Sequence, residues 1–318
     1  MRRIVVLLLV LGLAACTPAP GAPITRDTPP GASPSGSTPG PGTPGATVPP
    51  TGRPDHRKVR NWLYQLQNYP GGKLDALAKT PADLVVIDLA RDARSGFFTA
   101  DEIRSLKGSG KTVLAYFEIG SIEDFRPEYA SVKDLILNQW ADWPEEYFVR
   151  YWEPSWWDKV VGPRLDQAAE AGFDGVYLDT PLAYEEIDLS LVRGESRDSL
   201  GRKMAALISR ISRYDEKLLI FPQNSPELRK FPGYTEAIDG IGMEELFYLA
   251  TDVPCTQDFC GENLAETREL ARQGKTVLAV DYATRKENAR KACERYAAEG
   301  FAGYVTTRDL DKITQSCQ

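Results

Sequence analysis

The chain has 318 residues, with 45 acidic against 38 basic side chains and a formal net charge of −7. An acidic surface is poorly suited to neutralising phosphates, so no nucleic-acid partner is expected, whereas a cationic ligand is favoured. The single histidine, His56, rules out a Ser-His-Asp or Cys-His nucleophile and a histidine-rich metal site.

Arg2-Arg3 precedes an apolar run from Ile4 to Leu13. A basic start and a core too short to cross a bilayer are marks of a secretory leader. The run ends in Leu13-Ala-Ala-Cys16, a small-residue cleavage pattern that predicts Cys16 as the lipidated first residue of a lipoprotein. Residues 1–16 are therefore read as the leader. The protein is expected to be exported and held to a bacterial membrane by lipid alone, in the periplasm or at the cell surface. Residues 17–55 hold Pro, Gly, Ser and Thr and almost no large apolar side chain, so they read as a disordered tether. Residues 56–318 remain for one domain the size of a single α/β barrel, expected to be a monomer.

From Trp62 onward, short apolar strands alternate with longer helical stretches, the pattern of a parallel sheet. Strands are predicted at 62–67, 84–89, 112–119, 175–179, 218–223, 239–244, 276–281 and 303–307, which makes a (β/α)8 TIM barrel. A ninth candidate, 147–152, reads as an insertion beside the barrel mouth. Gly110-Lys-Thr-Val-Leu-Ala115 is echoed by Gly274-Lys-Thr-Val-Leu-Ala279, each glycine a helix stop and the remainder a strand entry. The first copy overlaps Gly108-Ser-Gly-Lys-Thr112, which looks like a phosphate loop. It is rejected, because Ser105 stands where the first glycine is needed and the motif precedes a strand.

The stretch Gly172-Phe-Asp-Gly-Val-Tyr-Leu-Asp179 places a carboxylate at the end of a buried strand, where α/β folds keep their chemistry. The other predicted strands end in Gln67, Asp88, Glu118, Gln223 with Asn224, Glu244, Asp281, and Thr307 with Arg308. Helix capping accounts for one or two such acids; five of eight argue for a shared acidic pocket. Alternation sets Tyr116 with Glu118, and Tyr177 with Asp179, on the inward face. Aromatic residues from Trp140 to Trp157, with Tyr184, Phe247 and Tyr248, gather near the same rim, and about half are expected to be core. Of the adjacent Trp156 and Trp157, at least one is expected to be exposed. Cys255, Cys260, Cys293 and Cys317 predict two disulfides in an oxidising compartment, with three pairings open. Cys255 with Cys260 would pin a loop, and Cys293 with Cys317 would tie the last helix to the C-terminus.

Tyr116-Phe-Glu-Ile-Gly-Ser-Ile-Glu-Asp-Phe-Arg-Pro127 with Glu128 and Tyr129, then Val149-Arg-Tyr-Trp152, the 172–179 stretch and Glu244-Glu-Leu-Phe-Tyr248, occur in this order. Together they resemble glycoside hydrolase family 114, which contains endo-α-1,4-polygalactosaminidases and related domains acting on Pel-like polysaccharide. The resemblance implies a (β/α)8 barrel with two carboxylates, matching Asp179 and Glu244. The Glu244-Glu245 doublet leaves room for a slip of one residue.

On that reading Asp179 is the nucleophile or charge stabiliser, and Glu244 is a general acid of raised pKa. Asp88, Glu118, Asp124 and Asp281 would line the subsites and pair with the ammonium groups of an amino-sugar polysaccharide, while Arg126 holds Glu123 or Asp124. Tyr116, Trp152, Tyr177, Tyr184 and Tyr248 would contact the sugar. No metal or organic cofactor is expected. The alternatives are a non-catalytic carbohydrate-binding lipoprotein and an α-galactosidase-like hydrolase of neutral sugars.

Overall fold

The computed structural model describes residues 53–314 and Cys317; the expected leader, Cys16 and the tether up to residue 52 lie outside them. Eight parallel strands form the frame: β1 (Trp62–Tyr64), β2 (Leu84–Asp88), β3 (Thr112–Glu118), β4 (Gly175–Asp179), β5 (Leu219–Pro222), β6 (Gly240–Glu244), β7 (Thr276–Tyr282) and β8 (Ala302–Thr306). All eight sit where the sequence predicts them, several shorter at their ends. Pairing runs in chain order through β1 to β5 and again through β6 to β8. The first seam is bridged by Gln223 and Gly242, with Asp239 N donating to Ile220 O at 2.9 Å. At the other, Leu66 N donates to Leu310 O at 2.9 Å, and Trp62 meets the Tyr304 ring edge-on at 6.0 Å. The result is a (β/α)8 barrel, with strand bodies buried on both faces as their continuous apolar runs require.

A repeated polar device fixes the bottom of this barrel. Asp83, Asp174 and Asp239 each stand one residue before an even-numbered strand. Each carboxylate accepts from a backbone N–H at or just before the preceding strand: Asn61 at 3.0 Å, Val113 at 2.9 Å and Ile220 at 2.9 Å. The echoed Gly-Lys pairs work at the same end. Gly110 and Gly274 take left-handed φ of 89° and 82°, stopping their helices. Lys111 Nζ then donates to Thr80 O at 2.8 Å, and Lys275 Nζ to Ile238 O at 2.8 Å. The lysine of the phosphate-loop look-alike is thus a structural donor.

The predicted insertion is larger than a single strand and begins earlier. Trp143–Val149 is the central strand of an antiparallel sheet, flanked by Ser121–Glu123 and Ile136–Trp140. Near its tip, the Arg308 guanidinium lies 4.6 Å above the Trp143 ring, so the hairpin that leaves β3 reaches the end of β8. A helix then runs from Pro154 to Ala171 through a π segment, Trp157–Val161, and ends at Gly172 with φ 82°. Trp156 and Trp157 are both buried, against expectation. Trp156 Nε1 donates to Ile119 O at 2.9 Å, and the Arg210 guanidinium covers Trp157 at 3.7 Å.

Arg53 Nη2 donates to Leu218 O at 2.7 Å, and His56 Nδ1 lies 2.9 Å from Thr276 Oγ1, so packing begins before residue 56. Disulfides join Cys255 to Cys260 and Cys293 to Cys317. The first closes the turn into the helix Asp258–Arg272; the second anchors the chain end to the helix Lys286–Glu299.

Inside the barrel, Trp62, Tyr64 and Tyr177 pack as a stack of rings 5.2–6.2 Å apart. Gly242 makes room for Tyr177, since a Cβ there would overlap the phenol. Gly242→Ala is expected to lower stability by about 1–3 kcal/mol through overpacking. Gly261→Ala, on an exposed helical turn with open space around it, should be neutral or gain up to about 1 kcal/mol. Urea unfolding of the two variants side by side tests both.

Candidate active site

Asp179 closes β4 and is 9% exposed. Three donors converge on its carboxylate. The Tyr116 hydroxyl donates to Oδ2 at 2.6 Å, while Thr180 N and Gln223 Nε2 donate to Oδ1 at 2.6 and 2.7 Å. Thr180 takes φ of +59°, a strained conformation for a β-branched residue, and this turns its N–H back onto the preceding side chain.

Glu244 closes β6 and is half-buried. Gln223 Nε2 donates to its Oε2 at 2.7 Å, Asn224 Nδ2 to the same oxygen at 3.0 Å, and the Tyr282 hydroxyl to Oε1. The Tyr64 hydroxyl donates to Gln223 Oε1 at 2.9 Å, which orients the amide so that its nitrogen faces both acids. Because Asp179 Oδ1 and Glu244 Oε2 each lie 2.7 Å from one nitrogen, they can be no farther apart than twice that length.

Two acids this close cannot both ionise easily. The Asp179 pKa rises from 3.8 to about 7, through burial first and the Glu244 charge second. That of Glu244 rises from 4.5 to about 7 through burial, with Glu245 adding to it and the Tyr282 and Asn224 hydrogen bonds opposing it. Near neutrality the pair holds about one proton, the condition for one member to be an acid and the other an anion. The doublet does not present two equal candidates. Glu245 has φ +57°, and its Oε1 accepts from Ala250 N at 2.6 Å, which caps the turn leading away from the pair.

The remaining expected subsite residues are placed differently. Asp88 and Glu118 are buried and held by Arg126, at 3.0 and 2.6 Å, and Glu118 also meets Arg164 at 2.7 Å. Burial opposes the Glu118 charge, but the two guanidiniums outweigh it and keep the carboxyl below its usual range. Arg126 pairs with Glu123 and not with Asp124, which is exposed. Asp281 is buried. It accepts from Phe247 N at 3.1 Å, Tyr248 N at 3.0 Å and the Tyr296 hydroxyl at 2.6 Å. None of these three buried acids is free to meet an ammonium group.

Of the five aromatics expected to contact the sugar, Tyr116 is the one hydrogen-bonded to the acid pair. Tyr177 is wholly buried in the barrel stack, Tyr184 is buried with its hydroxyl on Glu227, and Tyr248 is 7% exposed. Trp152 is half-buried, with the Lys203 ammonium 4.8 Å from its ring. Gln223 and Asn224 were legible as a polar strand end but not as the bridge between the acids. Tyr64 and Tyr282 were missed. Tyr282 follows Asp281, and alternation along β7, where Val280 pairs with Glu244, faces the aspartate outward onto Tyr296 and the tyrosine inward onto Glu244. Among the described residues no three His, Cys, Asp or Glu side chains are grouped as a metal site would need.

The model of glycoside-hydrolase family GH114 matches residues 42–318. An uncharacterised protein of Deinococcus radiodurans is 31% identical over 275 residues, covering 84% of this chain and 86% of its own length. Among solved structures, the glycoside hydrolase domain of PelA from Pseudomonas aeruginosa superposes with a TM-score of 0.66 at 20% identity, over 81% of this chain and 98% of that one. Aspergillus fumigatus Ega3, solved in complex with galactosamine, gives 0.63 at 17% identity, over 86% of this chain and all of that one. These two likenesses support the barrel.

The raised acid pair predicts a pH dependence of stability. Between about pH 4 and pH 7 the folded chain holds more protons at Asp179 and Glu244 than the unfolded chain does, so their contribution weakens as pH rises through that window. Glu244→Gln removes the like charge, lowers the Asp179 pKa and should flatten the loss. The variant should gain on the wild type as pH rises to 8, by about 1.4 kcal/mol for each pKa unit recovered. Urea unfolding between pH 4 and 8 measures the difference.

Proposed function

The chain belongs to glycoside hydrolase family GH114, and from that membership we propose that it is an exported lipoprotein hydrolysing α-1,4-linked galactosamine-containing polysaccharide. The observation that carries this reading is the pair of carboxyls bridged by the Gln223 amide. Glycoside hydrolysis needs one carboxylic acid to protonate the leaving oxygen and one carboxylate to attack. Each acid accepts from three donors, so depth separates them: Asp179 is the more buried and suits the attacking role. Glu244 is only half-buried and suits the general acid. A single amide nitrogen that reaches the facing oxygens of both carboxyls suits the roughly 5–5.5 Å separation of retaining enzymes better than the roughly 6.5–9.5 Å of inverting ones. Once Asp179 is esterified its charge is gone, the Glu244 pKa falls, and Glu244 can take a proton from the incoming water. The Ega3 complex with galactosamine, the acidic composition of this chain and the exposed Asp124 support an amino-sugar substrate. The Leu13-Ala-Ala-Cys16 pattern supports the lipid anchor.

Release of reducing ends from deacetylated galactosaminan tests the activity. Asp179→Asn and Glu244→Gln should each lose at least about 100-fold in kcat while staying folded. Glu245→Gln should lose far less. NMR of the first-formed product should display the α-anomer, and a β-anomer would overturn the retaining mechanism. Cleavage of a neutral galactan alone would favour the α-galactosidase-like alternative, and binding without products would favour the non-catalytic one. Cys16→Ala should move the protein from the membrane fraction to the soluble one; unchanged membrane association would defeat the anchor.

A further inference from the structure

Hydrogen-bonded contacts connect the Asp179 backbone to a further buried acid that the hydrolytic scheme does not use. Glu146 belongs to the central strand of the insertion sheet, opposite Glu123, and is 7% exposed. Its Oε1 lies 2.5 Å from Ser121 Oγ, Ser121 Oγ lies 2.8 Å from Thr180 Oγ1, and Thr180 Oγ1 lies 2.8 Å from Asp179 O. Thr180 Oγ1 also accepts from Gly120 N at 3.0 Å. The approach is tight, since a Cβ at Gly120 would run into the Thr180 carbonyl.

The protons in this chain can be counted. A carbonyl oxygen has none to give, so the Thr180 hydroxyl proton must point to Asp179 O. The contact between Thr180 and Ser121 must then use the serine proton. That leaves the contact between Ser121 and Glu146 with no proton unless Glu146 supplies it. All three hydrogen bonds exist together only if Glu146 is a neutral carboxylic acid donating to Ser121.

We propose that Glu146 is a positioning residue for Asp179, acting as a neutral acid that donates through Ser121 to Thr180 and so holds the strained turn behind the nucleophile. The role rests on the hydrolase reading given above. The groups facing Glu146 agree with a neutral state: burial first, then the charges of Asp179 and Glu118, push its pKa well up, against the Ser121 hydrogen bond and the Arg126 charge. Across the strand, Glu123 is occupied by Arg126. An ionised Glu146 would draw the serine proton to itself, leave Thr180 Oγ1 facing an oxygen without a proton, and put a second negative charge behind the nucleophile.

The test uses the full chain carrying Glu146→Leu, Ser121→Ala or Glu146→Gln. Leucine at position 146 and alanine at 121 break the chain, so kcat should fall on the order of 10- to 100-fold with KM within a few-fold. The amide of E146Q donates in the same direction as the acid, so most of the lost kcat should return, with an alkaline limb displaced to higher pH. The neutral-carboxyl absorption at pH 7 should lose one component in E146Q, on top of the part that the Asp179–Glu244 pair retains. Equal losses in E146L and E146Q, or full activity in E146L and S121A, would overturn the proposal, as would a neutral-carboxyl absorption of the same intensity in E146Q and the wild type. If E146L does not fold, S121A and E146Q carry the comparison. If the wild type cleaves no polysaccharide, the functional reading falls, and the infrared difference between wild type and E146Q alone decides the protonation of Glu146.

Discussion

One amide nitrogen holds the site together. Gln223 donates to Asp179 and Glu244 at the same 2.7 Å, and the Tyr64 hydroxyl keeps the amide from turning over. Without a donor between them, two half-desolvated carboxyls at this separation would repel each other or protonate fully. With it, they share a charge and stay close. Much of the surrounding fold serves this bridge. β5 delivers Gln223, β4 and β6 deliver the acids, and the ring stack below supplies the Tyr64 that fixes the amide.

The other acids near the mouth play the opposite part. Asp88 and Glu118 are neutralised by Arg126 and Arg164, and Asp281 by two backbone N–H groups and a tyrosine. Buried ion pairs of this sort cost desolvation and return it only when every partner is in place. Here they tie loops to strands. Arg126 links the ends of β2 and β3 to the insertion, and Asp281 pins the backbone that follows Glu244. An acidic pocket read from strand ends is therefore two populations, a small one whose carboxyls share a bridging amide and a larger one held in ion pairs and backbone hydrogen bonds.

That division explains what the sequence could and could not disclose. The eight strands were legible because buried parallel strands are short apolar runs bounded by glycine and polar residues. The two candidate acids were legible because each ends such a run within a motif. The fate of Asp88, Glu118 and Asp281 was not legible, since it depends on arginines and amides brought from 8 to 46 residues away. The pairing of Val280 with Glu244 across β6 and β7 decided that Tyr282, and not Asp281, looked inward. The two neighbouring tryptophans could not be told apart from exposed ones either, because the Arg210 that covers Trp157 lies on a later helix.

The aspartates that precede β2, β4 and β6 separate the barrel into a fixed floor and a variable roof. Asp174 holds β4 in register with β3 at the bottom, whatever length of chain intervenes at the top. Loop closure grows only slowly in cost with length, so the roof between these strands can lengthen at little thermodynamic expense. For protein engineering this makes the insertion between β3 and β4 a natural place to graft new binding surface. The graft is not unconditional. The same insertion carries Glu146 to the back of the Asp179 turn, so a transplanted roof must bring its own hydrogen-bond donor to that spot.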